Sequence, residues 1–275
     1  MKVGVFAKTF PGDDPDTVLA ACRNAGFIST QYNMACSGLD PLPEMIPIDT
    51  ARQVAGAAAR AEIHMAAISA TYNMTDPDPD RRQTGRRAFT AIAERTADMG
   101  ASMVTVCSGS MDPDDKWRRH PANDDPQSWL EMCREFEIIC DIAERHDILI
   151  GVEPEQANIV SSAVKAKRLL DEFSGGRLRI ILDPANILED VAPAHRRQTI
   201  DRALDLLGPA IALAHAKDRH EDASVAPAGS GIVDWPHFLA GLAAVGFAGP
   251  LIAHGISAAD APAVARFLTD QIARL

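Results

Sequence analysis

The chain has 275 residues, 47% hydrophobic and 24% charged, the balance of a globular protein with a core rather than a disordered one. Its formal charge of −11 argues against nucleic acid as a partner, because duplex binding rests on Lys and Arg displacing counterions from phosphates. No apolar run approaches the ~20 residues of a membrane helix, and MKVGVFAKTF turns polar by Lys8 without the apolar region of a signal peptide, so a cytoplasmic protein with no membrane partner is expected.

Eight short apolar runs follow one another along the chain: residues 3–6, 27–34, 62–70, 103–109, 148–154, 178–184, 211–218 and 250–256. Amphipathic stretches with helical spacing separate them. DPDTVLAACRNAG (14–26) opens on a capping Asp and closes on Gly26. The stretches 81–100 and 128–146 are long. SSAVKAKRLLDEFSGG (161–176) is bounded by Ser and Gly, and 195–208, 235–246 and 260–275 complete the set. Alternating strands and helices imply parallel strands joined by right-handed crossovers. Eight such units in this length predict a single (β/α)8 TIM barrel occupying residues 1–275 as one domain. No Gly-x-Gly-x-x-Gly follows the first run, which counts against a doubly wound nucleotide-binding sheet. Five cysteines, an odd number with no Cys-x-x-Cys, indicate neither a disulfide framework nor a cysteine zinc site.

Barrels of this kind place their chemistry at the C-terminal ends of the strands. The last four runs end in VEPE (152–155), LDPAN (182–186), HAKDR (215–219) and AHG (253–255). They deliver Glu153, Asp183, His215 and His254. Strand residues alternate between faces. Glu153 therefore shares a face with Leu149 and Gly151, Asp183 with Ile181, His215 with Leu213, and His254 with Ile252. If these faces point inward, two carboxylates and two imidazoles converge at the barrel mouth, and a divalent cation among them relieves their repulsion and desolvation. Mixed nitrogen and oxygen ligands suit one ion of the Mn, Zn, Co or Fe kind more than Ca or an all-oxygen Mg site, with Mg kept among the candidates. Taken one at a time, each carboxylate reads equally well as a helix cap, and each His more readily as a hydrogen-bonded core residue.

These motifs resemble the xylose-isomerase-like barrels, the sugar phosphate isomerase/epimerase superfamily that also holds apurinic-site endonucleases. The resemblance is carried by GVEPE with Asn158, LDPAN, HAKDR followed by GSGIVDW (229–235), GFAGPLIAHGI, and the loop stretches 69–78 and 108–124. It implies one divalent metal held by a Glu, an Asp, a His and a Glu after strands five to eight. The first three match Glu153, Asp183 and His215; the fourth position holds His254 instead. In the family the two glutamates also act as acid and base, so Glu153 is the first candidate for the base and His254 the second. Members often assemble into dimers or tetramers, so a homo-oligomer is compatible with the resemblance.

Other candidates lie on the same rim. Lys217 and Asp218 join the catalytic set, Lys217 to hold a substrate oxygen and Asp218 to orient a ligand or proton carrier; a structural Lys217–Asp218 pair is the alternative. Arg219, Asn186, Glu155, Asn158, Trp117, His120 and Tyr72 are the candidate contacts to a sugar-like substrate. Trp117 and His120 sit in a loop long enough to act as a lid. The expected activity is that of a metal-dependent isomerase or epimerase of a sugar, keto-polyol or related hydroxy-ketone, working through a metal-stabilised enediolate. Alternatives are a lyase expelling a β-substituent, an apurinic-endonuclease-like phosphodiesterase, and a non-catalytic barrel subunit.

Overall fold

Runs of parallel strand need both faces covered, and the chain meets this need by closing on itself. The computed structural model describes residues 1–275. The strands are β1 (Lys2–Phe6), β2 (Ser29–Tyr32), β3 (His64–Ser69), β4 (Met103–Cys107), β5 (Leu149–Glu153), β6 (Leu178–Leu182), β7 (Ile211–Arg219), β8 (Val225–Pro227) and β9 (Pro250–Ala253). β1 pairs in parallel with both β2 and β9, and β6 with β7, which pairs with β9, so eight strands form a closed parallel barrel. β8 lies outside that count. It pairs antiparallel with the overhanging end of β7, Lys217 opposite Pro227 and Arg219 opposite Val225.

The helices are α1 (Pro15–Asn24), α2 (Ile48–Arg60), α3 (Pro79–Thr96), α4 (Pro126–Arg145), α5 (Ala163–Glu172), α6 (Pro184–Ile187), α7 (Arg196–Leu207), α8 (Trp235–Ala244) and α9 (Ala261–Ile272). Several start as their sequences dictate. The Asp14 side chain accepts from the Thr17 amide ahead of Pro15, Ser162 caps α5 through Lys165, and Asp234 caps α8 through His237. α2 fills a place where no helix was expected. Its buried face is built from Ala51, Ala57 and Ala58 around Val54, a stripe of small residues.

Two apolar layers result. The larger lies between strands and helices. A small one fills the barrel: Ala67, Met103, Ile181, Leu213 and Ile252, with Phe6 and Leu149 against them. Gly4 belongs to this interior, where a Cβ would stand 2.5 Å from Ile252 Cδ1. The absence of a side chain there lets Ile252 enter. Leu149, Ile181, Leu213 and Ile252 are the residues whose faces Glu153, Asp183, His215 and His254 were expected to share. The plug they form is the floor on which the site stands.

Candidate metal centre and active site

Above that plug, one inward side chain from each strand end meets its neighbours. Glu153 closes β5 and His215 sits in mid-β7. Asp183 directly follows β6, where the chain turns into α6. Its Oδ1 caps that helix, accepting from the Ala185 amide (2.8 Å) and the Asn186 amide (3.3 Å). Its Oδ2 points the other way, so the capping and site readings of Asp183 hold together, one oxygen each. His215 Nδ1 lies 3.1 Å from Glu153 Oε1 and 3.7 Å from Asp183 Oδ2. Lys217 Nζ stands 3.1 Å from Asp183 Oδ2 and donates to Asn186 Oδ1 at 2.5 Å. Asn186 Nδ2 in turn donates to Glu153 Oε1 (2.9 Å), so this amide spaces the base candidate from the lysine.

The charges explain the proton affinities. Burial alone would depress His215, but Glu153 and Asp183 outweigh it and hold the imidazole up at about 9. Burial alone would raise the two carboxyls. For Glu153 the charge of His215 reverses this, and for Asp183 that of Lys217, so both sit below the usual carboxylate range. Lys217 is raised despite its burial because Asp183 and Glu153 face it.

Three features fit a divalent cation. Ligand atoms of Glu153, Asp183 and His215 lie within 4.8 Å of one another. Two ligands of one ion at ~2.0–2.2 Å each are at most about 4.4 Å apart, so little movement gathers them. Asp183 Oδ2 is buried without a hydrogen-bond partner, Lys217 being near but out of line. The donor set, two carboxylates and an imidazole, is the mixed oxygen and nitrogen ligation that suits Mn, Zn, Co or Fe, and three protein ligands leave a position open.

His254 does not join this cluster, contrary to the four-ligand expectation. Its ring stacks on His215 at 5.0 Å between centroids and 16° between planes, with Phe6 on its other side at 5.2 Å. His254 is not among the residues whose ligand atoms gather there. Burial, with the charge of His215 beside it, pushes His254 down to about 4, and its Nδ1 is buried without a partner.

A cavity of about 650 Å³ opens above the cluster. Glu153, Glu155, Lys217, Arg219 and His254 line it, together with Trp117, which is half exposed. Asp183 and His215 are buried beneath. Burial raises Glu155 above the usual range. Arg219 reaches the cavity wall with its guanidinium fastened to Glu189 (2.7 Å) and to the Ala223 carbonyl (2.5 Å).

Four expected site residues are corrected. Asp218 is fully buried and turned away from Lys217, collecting the amides of Gly229, Gly231 and Val233 and the Trp235 indole at 2.9–3.1 Å. It organises the loop before α8 and pairs with no lysine. Asn158 is buried between two loops, accepting from the Gly109 amide and donating to the Lys116 carbonyl. His120 caps a short turn, its Nδ1 accepting from the Ala122 amide. Tyr72 faces the helix layer, donates to Glu135 Oε1 (2.7 Å) and lies against Gly85 of α3.

The site also holds residues that reasoning from the sequence missed. Gln31 and Thr105 rise from β2 and β4. Lys8 and Lys116 bring positive charge to the cavity, Lys116 donating to the Thr71 carbonyl. Cys107 lies 3.9 Å from Glu153 Oε2. Inward parity applied to FISTQYNM marks Gln31 as readily as it marks Glu153, since an interior amide also needs partners.

A family model described as xylose isomerase-like TIM barrel matches residues 19–271, and the chain belongs to that family. No curated protein matches the sequence. Solved structures share the fold across the chain. One is a fusion of a xylose isomerase-like TIM barrel with 4-hydroxyphenylpyruvate dioxygenase (TM-score 0.73, 20% identity, 99% of this chain); this chain spans 43% of its length. Another is the 3-keto-D-glucoside 4-epimerase YcjR from E. coli, apo form (TM-score 0.73, 19% identity, 100% of this chain and 98% of that one). A third is the IolI protein with a bound zinc atom (TM-score 0.74, 17% identity, 100% and 99%).

Proposed function

We propose that the protein is a divalent-metal-dependent isomerase or epimerase of a sugar, keto-polyol or related hydroxy-ketone. The observation that carries this reading is the convergence of Glu153, Asp183 and His215 beneath an open polar cavity. Similarity to a 3-keto-D-glucoside epimerase and to a zinc-bound barrel supports it. A single cluster of this kind favours one ion per chain over the multinuclear sites of the endonucleases.

Glu153, Asp183 and His215 would hold the ion. When bound, such an ion polarises a carbonyl and acidifies the hydrogen on the adjacent carbon. The chain's own groups do the rest. Glu153 Oε1 is engaged by Asn186, while Oε2 has only the Cys107 thiol near it and is the face of the carboxylate left to take a proton. Lys217 spends its ammonium on Asp183 and Asn186 and has a further N–H for a substrate oxygen, where it stabilises enediolate charge. Glu155, raised by burial, is suited to give a proton back. His254, uncharged at neutral pH with Phe6 behind it, lines the cavity and adds no charge to it. Trp117 offers a ring face to a sugar ring.

Deuterium wash-in from heavy water tests this on a panel of ketoses and keto-polyols. The metal-loaded protein is expected to exchange the hydrogen next to a carbonyl, and Glu153→Gln to lower the rate about 10²–10⁴-fold. A Glu153→Gln protein that holds metal and exchanges at the normal rate contradicts the assignment of the base.

A further inference from the structure

Gln31 stands at the end of β2, 5% exposed, on the opposite side of His215 from the two carboxylates. Its Oε1 lies 2.9 Å from His215 Nε2, and its Nε2 donates to Thr105 Oγ1 at 3.2 Å. The amide is thus held at both ends, by strands β4 and β7, across the barrel interior.

The orientation of that amide follows from the other edge of the ring. His215 Nδ1 faces Glu153 Oε1 at 3.1 Å and Asp183 Oδ2 at 3.7 Å. A bare lone pair there would oppose two carboxylates, and a cation held between them and the ring takes that lone pair. With Nδ1 so engaged, Nε2 carries the ring's hydrogen and needs an acceptor. Gln31 Oε1 is the acceptor in reach; the amide turned over would set N–H against N–H. The same contact resists a half-turn of the ring, which would take Nε2 away from Gln31 Oε1.

We propose that Gln31 is a positioning residue that holds His215 with hydrogen on Nε2 and Nδ1 aimed at the metal. The inference rests on the metal reading of the site given above. Ligating histidines need a partner on their second nitrogen to fix tautomer and ring direction, and losing that partner typically costs 10–100-fold in metal affinity. A glutamine supplies the acceptor without adding a third negative charge beside Glu153 and Asp183.

Zinc titrations of the apoprotein against a chromophoric chelator test this without substrate, so a contact between Gln31 and substrate would leave the readout unmoved. Gln31→Leu is expected to weaken zinc binding about 10–100-fold, and Gln31→Glu, which keeps an acceptor oxygen, to bind at least as tightly as the wild type. Gln31→Leu binding within twofold of wild type overturns the role. Should the leucine protein fail to fold by circular dichroism, long-range ¹H–¹⁵N spectra of the zinc-loaded wild type decide: hydrogen on Nε2 with zinc on Nδ1 supports the proposal, and zinc on Nε2 overturns it. A wild type that takes up no zinc overturns both this inference and the metal reading beneath it, which sets that failure apart from one confined to Gln31.

Discussion

Lys217 and Asp218 are neighbours in the chain and face opposite ways, as consecutive strand residues do. Lys217 joins the cluster of Glu153, Asp183 and His215; Asp218 binds four backbone amides, that of Arg219 among them, and an indole N–H. Removing a buried carboxylate leaves those donors without an acceptor, and each such loss costs ~1–3 kcal/mol before relaxation or water recovers part of it. Asp218→Ala is therefore expected to lower the unfolding free energy by about 3 kcal/mol in chemical denaturation. A loss below about 0.5 kcal/mol would show that Asp218 does not hold the loop together. The two residues also show how far the sequence was legible here. Parity and strand ends located Glu153, Asp183, His215 and Lys217. They could not separate Asp218 from them, because a carboxylate reaching for backbone amides fifteen residues on looks, in the sequence, like one beside a metal. Gln31 is less legible because it lies on β2, away from the four strand ends that carry the charged motifs, and an amide has no charge to balance.

Among the elements, the loop between β4 and α4 shows what makes a long connection rigid. Asn123 accepts from the Met111 amide and donates to the Ala157 carbonyl, and Asn158 ties Gly109 to Lys116. Asp112 accepts from Arg118 at 2.5 and 2.7 Å and from the amides of Asp114 and Asp115. The loop expected to be a lid is thus pinned, and it carries Lys116 and Trp117 to the cavity. The Arg118 guanidinium, helped by those two amides, holds the Asp112 carboxyl well below the usual range. A carboxyl depressed by folding adds stability above its unfolded value, near 3.9, and loses it as pH falls through the folded one. The side-chain carboxyl ¹³C resonance of Asp112 is expected to hold its shift at pH 3.5 and move only in stronger acid. A midpoint at or above 3.9 contradicts the pairing. Other elements were less legible than this loop's residues. α2 was missed although Ala51, Val54, Ala57 and Ala58 fall on one buried face, because no Ser, Thr, Asp or Asn cap marks its start after Pro47. The β7–β8 hairpin was missed because VAP is too short to show alternation.

At the scale of the molecule, closure does the positioning. Strand order and parity together determine which residues meet, so eight apolar runs in sequence sufficed to anticipate both the barrel and the strand ends that matter. What sequence could not supply was direction within the mouth. His254 reaches the right rim and stacks instead of joining the cluster, and Tyr72 reaches the right height and points outward. No helix is long and apolar enough to cross a membrane. The chain is strongly acidic, yet Lys8, Lys116, Lys217 and Arg219 gather at the cavity, so its field differs locally from the net charge. The central claim is that Glu153, Asp183 and His215 hold one divalent ion. Elemental analysis after dialysis against a divalent metal measures this directly, on the wild type and on Asp183→Ala, which removes the buried unpaired oxygen. The account predicts one ion per wild-type chain and less than a tenth of that in the variant; an empty wild type, or equal occupancy in the two proteins, would contradict it.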